Sequence, residues 1–508
     1  MTGFGKRLVL GLLAAMAVVQ CASADAPVFR IGVTDLPPGL GNPYTAVIPP
    51  SSTVWNALFD GLTRIAEDGS VAPALATSWE LVEPTRWRFR LREGVTFSNN
   101  EPFDVEAVLG TFSYLMSDEA AGSPVANELQ GIVSVTPVDP YTVDIVTETP
   151  DAILPNRLVA ATIVPPVAGK ELGPNGFART PHGTGPLVLV EWDEAAGRTR
   201  AVARPESWRW QGREPNLSAI EFIELTDAAA RLQALLSDQT DLSVQGPDDV
   251  PVLEAAGFKI VTGPVPQIMS LAFITEGKPD SPLASQAVRQ ALNYAVNKQA
   301  IADGILRGLA EPAGQGAAPM TFGYNPDVDP YPYDPEKAQA MLADAGYAEG
   351  FSMTADVIVG SAPGDALIYQ AVKQDLAKVG VDLTLRPTVF PDWFRNYLGG
   401  TFKGEAFGLS WNAIPYNDAM RPMEIFSCLK TNAFFCDEEL TAELQAAASE
   451  MDRDARLQKL QALQAAYHEA APCIFLIQQT DLIAYAPRVG NVKTVNRVVV
   501  YEDLTLAE

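Results

Sequence analysis

The sequence predicts an α/β protein of more than one domain, on three observations. The chain has 508 residues, beyond what one hydrophobic core ordinarily organises. Apolar residues make up 47% of it and charged residues 19%, enough to build large cores and against disorder. Apolar patterns of period 2 and period 3.6 alternate along the length, the mark of strands interleaved with helices.

The first residues form a leader. Lys6 and Arg7 precede the apolar run LVLGLLAAMAVV, and Ala22-Ser23-Ala24 fits the small-x-small cleavage rule. The run is too short for a membrane span. Cleavage is expected between Ala24 and Asp25, giving a soluble exported protein. Cys21 follows Val18-Val19-Gln20, a poor lipid-attachment sequence, so no anchor is expected.

PVFRIGV at 27–33 then reads as a strand, and 51–62 as a helix with Val54, Leu58 and Leu62 on one face. WRFRLR at 87–92 alternates strictly and predicts a half-buried strand with a solvated arginine face. Asp104 is placed to cap a helix whose inner positions include Val105, Val108, Leu109, Phe112 and Leu115. YTVDIV at 141–146 is another strand. AVRQALNYAVNKQAI at 287–301 predicts one helix. YDPEKAQAMLADAGY at 333–347 predicts a second, with Asp334 as cap, Pro335 at the first position and Gly346 at the end. Residues 437–471 carry a helical period with a polar break at Asp452-Arg453-Asp454, and CIFLI returns to strand.

Charge and residue inventory exclude several classes. The formal charge is −26, and −28 once Lys6 and Arg7 leave, which repels nucleic acid and anionic membrane. Only two histidines occur, His182 and His468, with no cysteine or second histidine at metal-ligand spacing. HGTGP at 182–186 lacks the GK[ST] ending of a phosphate loop. Carboxylate pairs for glycoside hydrolysis are always available among 62 acidic residues, so they signal nothing. No catalytic residue, metal site or cofactor is expected. In an oxidising compartment Cys428 and Cys436 are the expected disulfide pair, with free thiols as the alternative, and Cys473 reads as a small buried residue.

What remains is binding chemistry. WNAIPYNDAMRPMEIF at 411–426 mixes Trp411, Tyr416 and Phe426 with Asn412, Asn417 and Arg421, and prolines break it. It reads as neither helix nor core strand. A polar organic ligand needs such aromatic walls, fixed amides and a charge. PDWFRNYL at 391–398 is of the same kind.

Four further stretches resemble one family. WRFRLREGVTFSNNEPFDVEAV, GTGPLVLVEW, VRQALNYAVNKQAI and YDPEKAQAMLADAGY are similar, in order and spacing, to the signatures of periplasmic solute-binding proteins of the peptide/opine/nickel class. The resemblance implies an α/β, two-lobed periplasmic-binding-protein fold of the large type II class, with two crossing strands between the lobes and the ligand in the cleft. It implies a first lobe of 25–60, 185–275 and 482–508, an inserted subdomain at 61–184 and a second lobe at 276–481. It also implies a monomer serving an ABC permease and ATPase.

In that family a G-W-x-x-D-Y-x-D-P segment lines the cleft, and its first aspartate holds a dipeptide's amino terminus. Here Trp411 is in place but the third residue after it is Ile414, and Asp418 is out of register. The expected contacts are therefore Trp411, Asn412, Tyr416, Asn417 and Arg421, with Trp393 and Tyr44, for a peptide-like, opine-like or sugar-derived solute. Pro422 should hold Arg421 extended, facing an anionic ligand group. The competing reading is an exported α/β hydrolase.

Overall fold

The computed structural model describes residues 27–37, 39, 41–47, 52–360 and 362–507. The expected leader, with Cys21 and the cleavage site, lies outside them. Among the described residues, ten strands form one sheet, in the order Val381–Thr388, Phe351–Ile358, Ala406–Asn412, Lys259–Phe273, Cys473–Tyr485, Leu242–Val244, Val28–Val33, Ala219–Glu224, Arg198–Ala203, Leu187–Asp193. The first strands named belong to a second lobe and the last to a first lobe. The two long central strands run through both, antiparallel from Lys259 opposite Tyr485 to Ala272 opposite Cys473. At 15 residues, Lys259–Phe273 spans about 50 Å. The pairing slips between Pro264 and Ile268, so the two strands bend midway between the lobes.

Four large apolar clusters fill this frame. Leu292, Leu342, Val372 and Leu383 pack on one face of the second lobe's sheet. Trp411, Phe426, Leu463 and Phe475 pack on the other. Phe29, Ile31, Trp55, Phe222 and Tyr501 centre the first lobe. Phe89, Phe97, Phe112 and Ile145 centre a subdomain built on the four-stranded sheet Ala76–Glu83, Arg86–Leu91, Thr142–Thr147, Ile132–Asp139. No helix among the described residues is long and apolar enough to cross a membrane.

Most local expectations hold where the signal is local. Asp104, Asp334 and Asp452 each accept a backbone N–H from the first turn of their helices, Val105–Leu115, Pro335–Asp344 and Arg453–Ala470. In Arg86–Leu91, Phe89 and Leu91 are buried as the alternation requires. Its arginine face is not purely solvated, because Arg88 pairs with Asp144 on the next strand at 2.7 Å.

Three expectations change. The helix at 51–62 is only Trp55–Leu58, because Gly61 leaves the helix to bridge Thr162, where a Cβ would lie 2.8 Å from the Leu158 carbonyl. The single helix at 287–301 is two, Gln286–Ala295 and Lys298–Gly304, since Asn297 turns out and caps the second through Ala300 N–H. The stretch 411–426 is also more regular than its composition implies. Trp411 and Asn412 end the strand Ala406–Asn412, and Met420–Ile425 is a short helix. Pro422 sits in that helix's first turn, where no N–H is needed, so Arg421 is helical and not extended.

Candidate functional site at the lobe interface

The strand Ala406–Asn412 pairs with the long central strand, Trp411 opposite Ile268 and Asn412 opposite Gln267. The chain then leaves the sheet as a loop, 413–419, that reaches towards the first lobe. Asn412 shapes the exit: its side-chain oxygen accepts Ile414 N–H at 2.9 Å, and its carbonyl accepts from Arg421 Nη1 at 2.8 Å.

Trp411 packs within the second lobe's core cluster. It is 0% exposed, stacked on Phe426 with ring centroids 3.9 Å apart and edge-on to Tyr467. Its indole N–H donates to Cys473 Sγ at 3.3 Å. Gly316 closes the approach, since a Cβ there would lie 1.9 Å from Trp411 Cε3. Tyr44 is likewise inside a core, against Tyr114 in the subdomain, with its hydroxyl donating to the Thr162 carbonyl at 3.1 Å. Both placements have one cause: large aromatics are the best core fillers, and each has a closed set of neighbours.

Tyr416, Asn417 and Arg421 do stand at the lobe interface, but on protein partners. Arg421 Nη2 lies 2.5 Å from Glu128 Oε1, on the subdomain helix Pro124–Glu128. The Tyr416 hydroxyl donates to the other Glu128 oxygen, and the ring lies between the guanidinium groups of Arg157 and Arg421. Arg157 pairs with Glu424 at 2.7 Å and with Asp151 at 3.1 Å. Asn156 Nδ2 donates to the Tyr416 carbonyl at 2.9 Å. Asn417, in the left-handed region at φ 57°, donates from Nδ2 to the Gly69 and Met320 carbonyls, while its buried Oδ1 has no hydrogen-bond partner among the described residues. Asp418 is held within the second lobe by a two-pronged pair with Arg456 at 2.7 and 2.8 Å.

Electrostatics follow from burial and pairing. Burial pushes the Glu128 carboxyl up, but Arg421 outweighs it and holds the group below its ordinary value. For Glu424, burial wins over Arg157 and the value is raised. The Tyr416 phenol is raised well above its ordinary value by burial and by Glu128.

Trp393 lies on the helix Phe390–Gly399, stacked on Tyr397 at 5.2 Å, and its buried indole N–H has no partner among the described residues. The outer side of this helix leaves Phe390, Phe394 and Leu398 exposed. Cys428 and Cys436 lie at disulfide-bonding distance just beyond the loop, and Cys473 is buried. Among the described residues no group of histidines, cysteines and carboxylates is placed to hold a metal.

Sequence reasoning missed the first-lobe half of this seam: Gly69, Glu128, Asn156, Arg157, and Asn496, whose Nδ2 donates to the Pro415 carbonyl at 3.1 Å. A charge-bearing residue at a short helix end, such as Glu128, carries no local mark of its partner.

Two lobes joined by two long strands of one shared sheet, and fastened to each other across this seam, form the frame of the site. The comparisons make this specific. A family model described as bacterial extracellular solute-binding proteins, family 5, matches residues 70–433, and the chain belongs to that family. Over 378 residues it is 29% identical to the glutathione-binding protein GsiB of Salmonella paratyphi A, covering 73% of this chain and 71% of that one. It is 28% identical to heme-binding protein A of Haemophilus influenzae over 458 residues, 82% of this chain and 81% of that one. Among solved structures, the periplasmic binding protein DppA of Helicobacter pylori in complex with the peptide STSA matches with a TM-score of 0.80 at 22% identity. That match covers 95% of this chain and 98% of that one. CtaP of Listeria monocytogenes matches at 0.82 and 21%, covering 95% and 100%. These structures carry the two-lobed α/β fold.

Proposed function

We propose that the protein captures a small polar organic solute of the peptide-like, opine-like or sugar-derived class for an ABC importer and delivers it unchanged to a permease and ATPase. It works in the periplasm as a monomer, after loss of residues 1–24, with its Cys428–Cys436 bond formed. Family membership supports the transport role, and a relative bound to a tetrapeptide supports the ligand class. The observation that carries it is the seam itself: the second lobe's loop 413–419 folds across the strand pair and is fastened to the first-lobe side through Gly69, Glu128 and Asn156. We assign ligand contact within the cleft to Asn412, Asn417 and Trp393, whose polar atoms stand at or near this seam. Tyr416 and Arg421 take part through closure.

The hydrolase reading has no support from the family. The nearest thing to a nucleophile and base is Ser98 Oγ, 3.1 Å from His182 Nδ1, and among the described residues no carboxylate bonds that ring to orient it. Protein purified from its native periplasm, denatured and analysed by mass spectrometry, should release a stoichiometric small polar molecule. Calorimetry with glutathione, Ser-Thr-Ser-Ala and Met-Leu, followed by product analysis, should show binding without turnover. Conversion of a bound molecule would overturn the receptor reading.

A further inference from the structure

The C-terminal hairpin carries a further arginine at the lobe interface. Its strands Thr494–Val495 and Val498–Val499 pair Val495 with Val498, leaving a two-residue loop, Asn496-Arg497. Both loop residues have positive φ, 47° and 69°. That is a two-residue hairpin turn whose second place normally goes to glycine. An arginine held there despite the backbone cost points to a use for its side chain.

The side chain has a built seat. Nε donates to both oxygens of Asp481, at 2.9 and 3.1 Å, and Asp481 is only 10% exposed. Asp481 lies on the central strand opposite Gly263, on the floor between the lobes. The neighbouring Asn496 bonds to Pro415 of the second lobe's loop. The hairpin tip is therefore fixed to the floor on one side and to the far wall on the other. Arg497 spends only Nε on this seat. Among the described residues Nη1 and Nη2 have no hydrogen-bond partner, and the side chain is 20% exposed. The other arginines of the seam, Arg157, Arg421 and Arg456, are each committed to carboxylates.

We infer that Arg497 anchors a carboxylate of the captured solute through Nη1 and Nη2, with Asp481 as the residue that positions it. A guanidinium edge with two parallel donors fits a planar carboxylate. The seat fixes the plane of the fork in advance, so little side-chain freedom is lost when the solute arrives. The same loop that orients the fork also senses the second lobe, through Asn496. This rests on the receptor reading above.

The test is equilibrium dialysis of the full chain against a library of di- to tetrapeptides, once as free acids and once as C-terminal amides, read by mass spectrometry. Melting temperature in succinate against chloride, at equal ionic strength, gives a second reading. The variants are Arg497→Ala, Arg497→Lys and the double variant Arg497→Ala with Asp481→Asn, which leaves no unpaired carboxylate behind. The parent is expected to retain free acids roughly tenfold or more over amides, in line with the loss of one charged hydrogen-bonded partner. The Ala variants lose that preference and Lys keeps part of it. Succinate raises the melting temperature of the parent and not of the double variant. Equal retention of acids and amides by the parent overturns the inference, as does a folded double variant that keeps the preference. If the parent retains no peptide in either form, the peptide-like reading falls. The succinate shift then decides the anchor alone: present in the parent and lost in the double variant, it stands for another carboxylate solute; absent in the parent, it fails.

Discussion

Glu128 is the residue on which the seam turns. It receives Arg421 and Tyr416 from the other lobe, and its neighbour pair Arg157–Glu424 runs the opposite way, cation on the first-lobe side and carboxylate on the second. Replacing Glu128 by Gln leaves Arg421 without its counter-charge. For a fully buried pair that costs roughly 3–5 kcal/mol. Here both side chains keep about 15% exposure, so the cost lies at or below the lower end of that range. The pH dependence has a definite sign. The folded value of Glu128 is lowered, so its contribution is full above the ordinary value of 4.5 and disappears as pH falls through the lower, folded value. Urea titrations should show the gap between parent and Glu128→Gln wide at neutral pH and closing on acidification below that window. A gap independent of pH would remove Glu128 as an ion-pair partner. None of this was legible in the sequence. Glu424, three residues from Arg421, is taken by Arg157, while the partner of Arg421 is 293 positions away.

Elements were legible to the extent that their signals were local. Aspartate caps, the terminating Gly346 and the strict alternation in WRFRLR each act within a few residues, and each element formed as read. Where a tertiary contact overrode the local pattern, the reading failed. Trp411-Asn412 became strand because a central strand lay ready to pair with it, and Trp411 became core because Phe426, Tyr467 and Phe475 converge on it. The packing of Gly316 on that ring makes a sharp test. Gly316→Ala forces a methyl into the indole and should cost about 1–3 kcal/mol by overpacking, measured by thermal or urea unfolding. No loss of stability would mean the ring can shift. The loop closed by Cys428 and Cys436 is short, and opening it should cost about 2–3 kcal/mol. Alkylation of the native protein without reductant should label no cysteine, because Cys473 is buried, and unfolding should expose Cys473 alone. Labelling at all three would show that the bond is absent.

At the scale of the molecule, the two lobes share one sheet, so the strand pair is both the covalent and the hydrogen-bonded link between them. Opening of the lobes is expected to bend this pair near Pro264, where its register slips. If the seam contacts set the balance between open and closed forms, small-angle scattering reads their loss directly. Glu128→Gln should increase the radius of gyration of the unliganded protein, and added solute should reduce it again. An unchanged radius would mean that the seam does not govern closure. The two-lobed frame was legible from four spaced motifs. The cleft surface was not, because residues from distant parts of the chain meet only there.

The sheet also places the end of the chain beside its beginning. Tyr501 packs edge-on to Phe222, its hydroxyl donates to the Thr53 carbonyl, and Val489, Val499 and Leu504 share a cluster with Phe29 and Ile31. A lobe started by the first strand is thus finished by the last turns. During synthesis or threading across a membrane, the first lobe proper has no completed core until its last turns arrive, whereas the subdomain core and the second lobe have their residues earlier. The first lobe is therefore expected to close last. Chains truncated after Tyr485 should keep protease-resistant fragments from the subdomain and from the second lobe with its strand Lys259–Phe273, while the remaining first-lobe segments are digested. Equal resistance of both parts would show that the first lobe closes without its final strands.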